Sequence, residues 1–331
     1  MLAINILLLL AAAQDDSFVP GLQAFRNGDY AAAETRFSQS SDSRAKTFLA
    51  LTYAATGRCK QAEPVLETAA GSLEITKLAG LALAQCRIAA SDFDRAALVL
   101  AKLRAAYPSD ADVLYLSARL QMRQWNDTMY QLYRKAPGSF RVNQISGEVL
   151  ETQGRFTEAA AEYRKAIEKS PKTIGLHYRL ARVLLMESHG PANLDTALRE
   201  FQAELAINPN DPAAHYQIAQ ILLLRGKPAD ADASLKRALS LDPTFVEPMI
   251  ALGKLRTEQK NFPEAIALLR HAIELNPANE GAHYNLMMAY RNSGDMESAR
   301  RQKAKLDELQ KAPEGEFTEF LKKLGETAPK K

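Results

Sequence analysis

Residues of one kind recur along this chain at a spacing of 34. Ala197, Ala231, Ala265 and Ala299 stand 34 apart, and so do Pro209, Pro243 and Pro277. Ala50, Ala84 and Ala118 step by the same amount, as do Ala62 and Ala96, while Gly226 and Gly294 lie two periods apart. A fixed period of this size marks a chain built from stacked copies of one small unit, each touching only its neighbours. It replaces the two-domain expectation that 331 residues would otherwise carry. With 47% hydrophobic and 24% charged residues, the composition is that of a folded protein.

The unit has a readable internal order. Residues 246–279 run VEPMIALGKLRTEQKNFPEAIALLRHAIELNPAN, with an apolar stretch around Leu252 and Gly253, a polar break at Lys260 and Asn261, and a second stretch around Ala265 and Leu269. Apolar residues recur at three and four in both stretches, which predicts two amphipathic helices, and Pro277 stops the second. Small residues at Gly253, Ala265 and Ala272 stand where the two helices of such a hairpin cross closely. Leu252, Leu255, Leu269 and Leu275 fill the space beside them.

Across the copies the columns read small at position 8, Gly or polar at 15 and 16, aromatic at 17, Ala at 20, bulky at 24, Ala at 27 and Pro at 32. This pattern resembles the tetratricopeptide repeat. Copies fall at 43–76, 77–110, 140–173, 174–211, 212–245, 246–279 and 280 to about 311. Two are irregular: 17–42 keeps Gly28, Asp29, Tyr30, Ala33 and Phe37 behind a truncated opening helix, and 111–139 is five residues short and lacks the Gly and Ala of its turn. The resemblance implies an all-α, helix-turn-helix repeat solenoid, a right-handed superhelix of about nine repeats over 14–311.

The two ends read differently. Residues 2–13 form a largely apolar stretch that ends in Ala11, Ala12 and Ala13 before Asp15 and Asp16, as in a secretory signal peptide over 1–13, although no Lys or Arg precedes it. It is short of the roughly 20 apolar residues a membrane-spanning helix takes, so no stable span is expected after cleavage. At the other end, EFTEFLKKLGE sets Phe317, Phe320, Leu321 and Leu324 on one helical face. That predicts a capping helix over the last hairpin within 312–331, since solenoid ends need a polar outer surface; a partner-docking helix is the alternative.

Signs of chemistry are few. The 42 Lys and Arg against 39 Asp and Glu leave +3 with the charges mixed throughout, which argues against a polyanion-binding face and so against nucleic acid. There is no phosphate loop, since Gly226-Lys227 runs into Pro228, and no HExxH or GxSxG. His177, His215 and His283 share the fourth position of three repeats, each followed by Tyr. Stacked hairpins separate such positions by about 8–10 Å, too far for one metal ion to be shared. Half-buried rings are expected, with no metal, no cofactor and no catalytic residue.

The repeat register places Cys59 at the start of a second helix and Cys86 late in the first helix of the next copy. Those helices run antiparallel, so the sulfurs can meet if the Cα atoms approach to about 4.4–6.8 Å. A Cys59–Cys86 disulfide is expected in an exported protein. Two buried thiols, or a reactive thiolate at Cys59 between Arg58 and Lys60, are the alternatives.

In tetratricopeptide proteins the first helices of successive repeats line a concave groove whose positions 2, 5, 6, 9, 12 and 13 meet a peptide or helix. Carried onto this chain, the resemblance implies a groove of Tyr178, Arg179 and Arg182, then Tyr216, Gln217 and Gln220, then Lys254, then Tyr284, Asn285, Met288 and Arg291. Tyr and Arg are favoured at binding hot spots, and the mixture suits a segment with acidic and apolar side chains. The Lys and Asn pattern that clamps a terminal carboxylate in chaperone-binding members does not occur in three consecutive repeats. Two departures stand out: four extra residues lengthen an inter-helix turn to MESHGPANLD at 186–195, and the short copy around Trp125, the single tryptophan, breaks the regular stacking. The reading is a non-catalytic scaffold for a protein partner in the cell envelope, periplasmic or secreted. The alternative is a structural or carbohydrate-binding accessory subunit of an envelope assembly.

Overall fold

The computed structural model describes residues 17–69 and 73–310; the expected signal peptide and capping helix lie outside them. All described elements are helices. They fall into two compact units that divide between Pro137 and Gly138.

The first unit holds α1 (Phe18–Arg26), α2 (Tyr30–Gln39), α3 (Ala45–Ala55), α4 (Cys59–Glu67), α5 (Leu73–Ala89), α6 (Phe93–Ala106) and α7 (Ala111–Lys135). The second holds α8 (Phe140–Thr152), α9 (Phe156–Lys169), α10 (Leu176–Glu187), α11 (Pro191–Ile207), α12 (Pro212–Leu224), α13 (Pro228–Leu241), α14 (Val246–Glu258), α15 (Phe262–Leu275), α16 (Glu280–Ser293) and α17 (Met296–Leu309). Sixteen of them pair as hairpins on the expected repeat boundaries, α1 with α2 through α16 with α17.

Each hairpin turn has a physical cause. Gly226 and Gly294 carry φ of +68° and +91°, the left-handed conformation that ends a helix at least cost. Where the column lacks glycine, Ser91 and Lys260 take the same conformation at 59° and 61°, against a steric penalty of roughly 1 kcal/mol. The second helix is then opened by a carboxylate in several repeats: Asp29, Asp92 and Asp295 each accept from a main-chain N–H three residues on.

The periodic alanines are where helices touch. Ala62, Ala96, Ala159, Ala197, Ala231 and Ala265, all at position 20, are fully buried, as are Ala166, Ala238 and Ala272 at position 27. A larger residue at these points would push the paired helices apart. Position 8 behaves likewise. A Cβ on Gly253 would stand 2.6 Å from Leu269 Cγ, in α15. Gly253→Ala is therefore expected to lower stability by about 1–2 kcal/mol, the overpacking cost outweighing the alanine's gain in helix propensity. The urea midpoint measures it, and an unchanged or higher midpoint contradicts the close crossing. At the start of the first unit Phe18, Phe37 and Phe48 pack ring to ring with centroids 5.6–5.8 Å apart, so the shortened opening hairpin keeps a dense apolar core.

Two expectations are corrected. The stretch 111–139 is not a hairpin: α7 is one continuous 25-residue helix. MRQWNDTMY, 122–130, contains neither Gly nor Pro, so nothing stops the helix where a turn belongs. Its first half buries Val113, Leu116 and Leu120, while Met122, Trp125, Tyr130 and Tyr133 are exposed. Nor is 186–195 a long loop. Pro191 occupies the first turn of α11, which extends to 17 residues and leaves only 188–190 between the helices. Asn193 Nδ2 donates to Leu184 O at 3.0 Å across the remaining turn.

Candidate functional site

The residues expected to line a groove all lie in the second unit, on first helices of hairpins. Tyr178, Arg179 and Arg182 fall in the first two turns of α10 and line a depression of about 430 Å³ together with Gly175, Asp211 and Ala213. Asp211 caps α12, accepting from Ala213 N at 2.9 Å and Ala214 N at 3.1 Å, so the depression lies between the starts of α10 and α12.

The aromatic rings are held from beneath. Tyr178 stands edge-on to Phe201 of α11 with centroids 5.3 Å apart, and Tyr216 meets Phe245 in the same manner at 5.4 Å. Burial raises both phenols above their usual pKa. Rings fixed in this way offer contact area at little entropic cost.

The arginines are not free charges. Arg179 pairs with Glu148 at 3.3 Å and Arg182 with Glu151, both on α8. Glu151 also accepts from the hydroxyl of Tyr163 at 3.0 Å, and Arg182 keeps a buried Nε–H without a partner. Tyr163 is fully buried, and that burial with the neighbouring Glu151 charge raises its phenol pKa. The face is thus amphoteric, with cations and anions already paired before anything binds.

Beneath the site lies a group absent from the sequence reading. Glu204 of α11 is completely buried, and its carboxylate accepts from Gly175 N at 2.7 Å and Tyr178 N at 3.3 Å. These are orphan donors at the start of α10, where a negative charge also meets the positive end of the helix dipole. Gly175 has φ of +89° and contributes no cap of its own.

The other residues expected in the groove are more scattered. Gln220 and Met288 are half-buried, Lys254 and Arg291 exposed, and Tyr284 is 50% exposed. Asn285 spends its amide on Gly281 O at 2.7 Å. Of the expected groove residues, the depression gathers only those of α10. No motif marks Glu148, Glu151, Glu204 or Asp211 in the sequence. The one available signal for two of them is spacing, since Arg179 and Arg182 each follow their glutamate by 31 residues, close to one repeat.

The histidines serve the hairpins. His215 Nε2 donates to Pro209 O at 3.2 Å, and His283 Nε2 to Pro277 O at 3.0 Å, tying each repeat to the proline that ends the one before. His177 pairs with Glu200 at 2.6 Å. Among the described residues no three His, Cys, Asp or Glu side chains converge as for a metal ion. No described helix is long and apolar enough to cross a membrane. Cys59 and Cys86 are joined by a disulfide, with Cα atoms 5.4 Å apart.

Tetratricopeptide-repeat family models match residues 47–111, 130–186 and 192–244, and again 222–271 and 256–314. The chain belongs to the tetratricopeptide repeat family. No curated protein sequence matches it. Among solved structures it is similar to YrrB, described as a TPR protein with an unusual peptide-binding site, at 19% identity and a TM-score of 0.46, over 59% of this chain and 97% of that one. It is also similar to MamA 41-end from Desulfovibrio magneticus RS-1, at 17% identity and 0.48, over 53% and 97%. A further MamA crystal structure aligns at 18% and 0.46, over 52% and 91%.

Proposed function

We propose that this chain is a non-catalytic scaffold that holds a peptide or helical segment of a protein partner against the α10–α12 face, acting in the cell envelope. The observation that carries the reading is the depression itself. It combines Tyr178, pinned edge-on by Phe201, with Arg179 and Arg182, whose glutamates can be exchanged for acidic groups of a partner. Because the arginines are paired, an acidic segment gains orientation and selectivity there more than raw charge attraction. The apolar stretch at 2–13 and the pairing of the only two cysteines both suit an oxidising compartment.

Tyr178 and Tyr216 are part of the packing, so a test must spare them. The variant Arg179→Ala, Gln217→Ala changes half-buried side chains of α10 and α12. Its helical circular dichroism is expected to match the parent, while capture of a partner from an envelope extract falls at least tenfold, the loss of about 1.4 kcal/mol or more that hot-spot truncation brings. Recovery of the same proteins by both forms would remove the site from this face.

A further inference from the structure

A second cavity lies in the first unit, independent of the α10–α12 face. It has a volume of about 350 Å³ and runs beside α5 from Thr76 to Arg87, between α4 and α6, a helix span of about 16 Å. Its walls are apolar: Leu66 from α4, Ala79 and Leu83 from α5, Val99 and Leu103 from α6. Three charged groups line it, Arg87, Lys102 and Glu67, leaving one net positive charge.

Arg87 is the unusual member. Its side chain is 8% exposed, yet it lines the cavity rather than the surface. Nη1 donates to the main-chain oxygen of Arg95 at 3.4 Å and Nη2 to Glu67, while Nε–H is buried with no partner. A guanidinium edge presents Nε–H and an Nη–H side by side, matched to both oxygens of one carboxylate. Here a single glutamate oxygen uses that edge and half of it stays bare. A buried N–H left unpaired is costly, so a group that satisfies it binds with advantage. The partners are also unequal in freedom. The Glu67 side chain is 44% exposed, a displaceable counter-ion on a fixed cation.

We propose that this slot binds a medium-chain aliphatic carboxylate, its chain between Leu66, Leu83, Val99 and Leu103 and its carboxylate on the Nε and Nη2 edge of Arg87 in place of Glu67. Lys102 supplies the second positive charge. The elongated shape and apolar walls suit an extended hydrocarbon chain, and the net charge of the lining suits one negative head group.

The test titrates the full, disulfide-bonded chain with decanoate by calorimetry, beside decanol and the variants Glu67→Gln, Val99→Trp and Arg87→Met. Saturable binding of decanoate at least tenfold tighter than decanol is expected. Glu67→Gln removes the competing carboxylate and is expected to tighten decanoate binding about fivefold, a change that a merely structural ion pair would not produce. Val99→Trp fills the slot and is expected to abolish binding with the helical content retained. Arg87→Met, if folded, should bind decanoate and decanol alike. Absence of saturable binding, equal binding of decanol by the parent, or weaker binding by Glu67→Gln each overturns the proposal.

Discussion

Replacing Cys59 and Cys86 by serine, or reducing them, is expected to lower the stability of the first unit by about 3.5 kcal/mol. The bond closes a loop with a sequence separation of 27, and the chain-entropy relation for a loop of that length yields this figure. It is a large share of what holds any single unit folded. The bridge joins the start of α4 to the end of α5, fastening two neighbouring repeats at a point where α4 is short, at nine residues, and contains Pro64. Intact mass with and without reductant should differ by two protons, and the melting midpoint of the double serine variant should fall on the order of 10 °C. No mass difference removes the bridge. An unshifted midpoint means that helix packing alone carries the unit.

Glu204→Ala is expected to cost about 2–4 kcal/mol, because two buried main-chain donors lose their acceptor and a cavity opens beneath α10. Glu204→Gln keeps the volume but loses the charge at the helix start, and about 1 kcal/mol of loss is expected. The change reaches the candidate site, since α10 carries Tyr178, Arg179 and Arg182 and its first turn is what Glu204 holds. Hydrogen exchange separates this account from a general loss of packing. The amides of Gly175 and Tyr178 should lose protection in Glu204→Ala before those of α13 or α15 do. Unchanged exchange at those two amides would show that the carboxylate does not hold the helix start.

The cysteine pair and Glu204 show how unevenly the sequence can be read. The cysteines were placed by register alone, because a repeat of fixed length assigns each position to a helix and each helix to a neighbour. Glu204 follows no such rule. Its sequence neighbourhood, FQAELAINPN, marks it as one more polar residue on an amphipathic helix. Only the approach of Gly175, at the start of the paired helix α10, turns it into a buried cap. The same holds for Glu148 and Glu151. The register puts both arginines on the first helix of a hairpin, but their charge as a surface depends on α8 lying beside α10.

What the sequence determined by itself is whatever a single hairpin decides: the period of 34, the alanines that let helices cross, the glycines that turn the chain, and with them the repeat fold. Those features are local, so each copy carries its own evidence and the copies reinforce one another. Tertiary structure decided what depends on two elements meeting. It buried Glu204 beneath the start of α10 and neutralised Arg179 and Arg182 with carboxylates one repeat away. The physical reason is the range of the forces involved. Propensity and turn chemistry act over a few residues, whereas pairing of charges and burial of polar groups depend on which surfaces the stacked hairpins bring within a few ångströms.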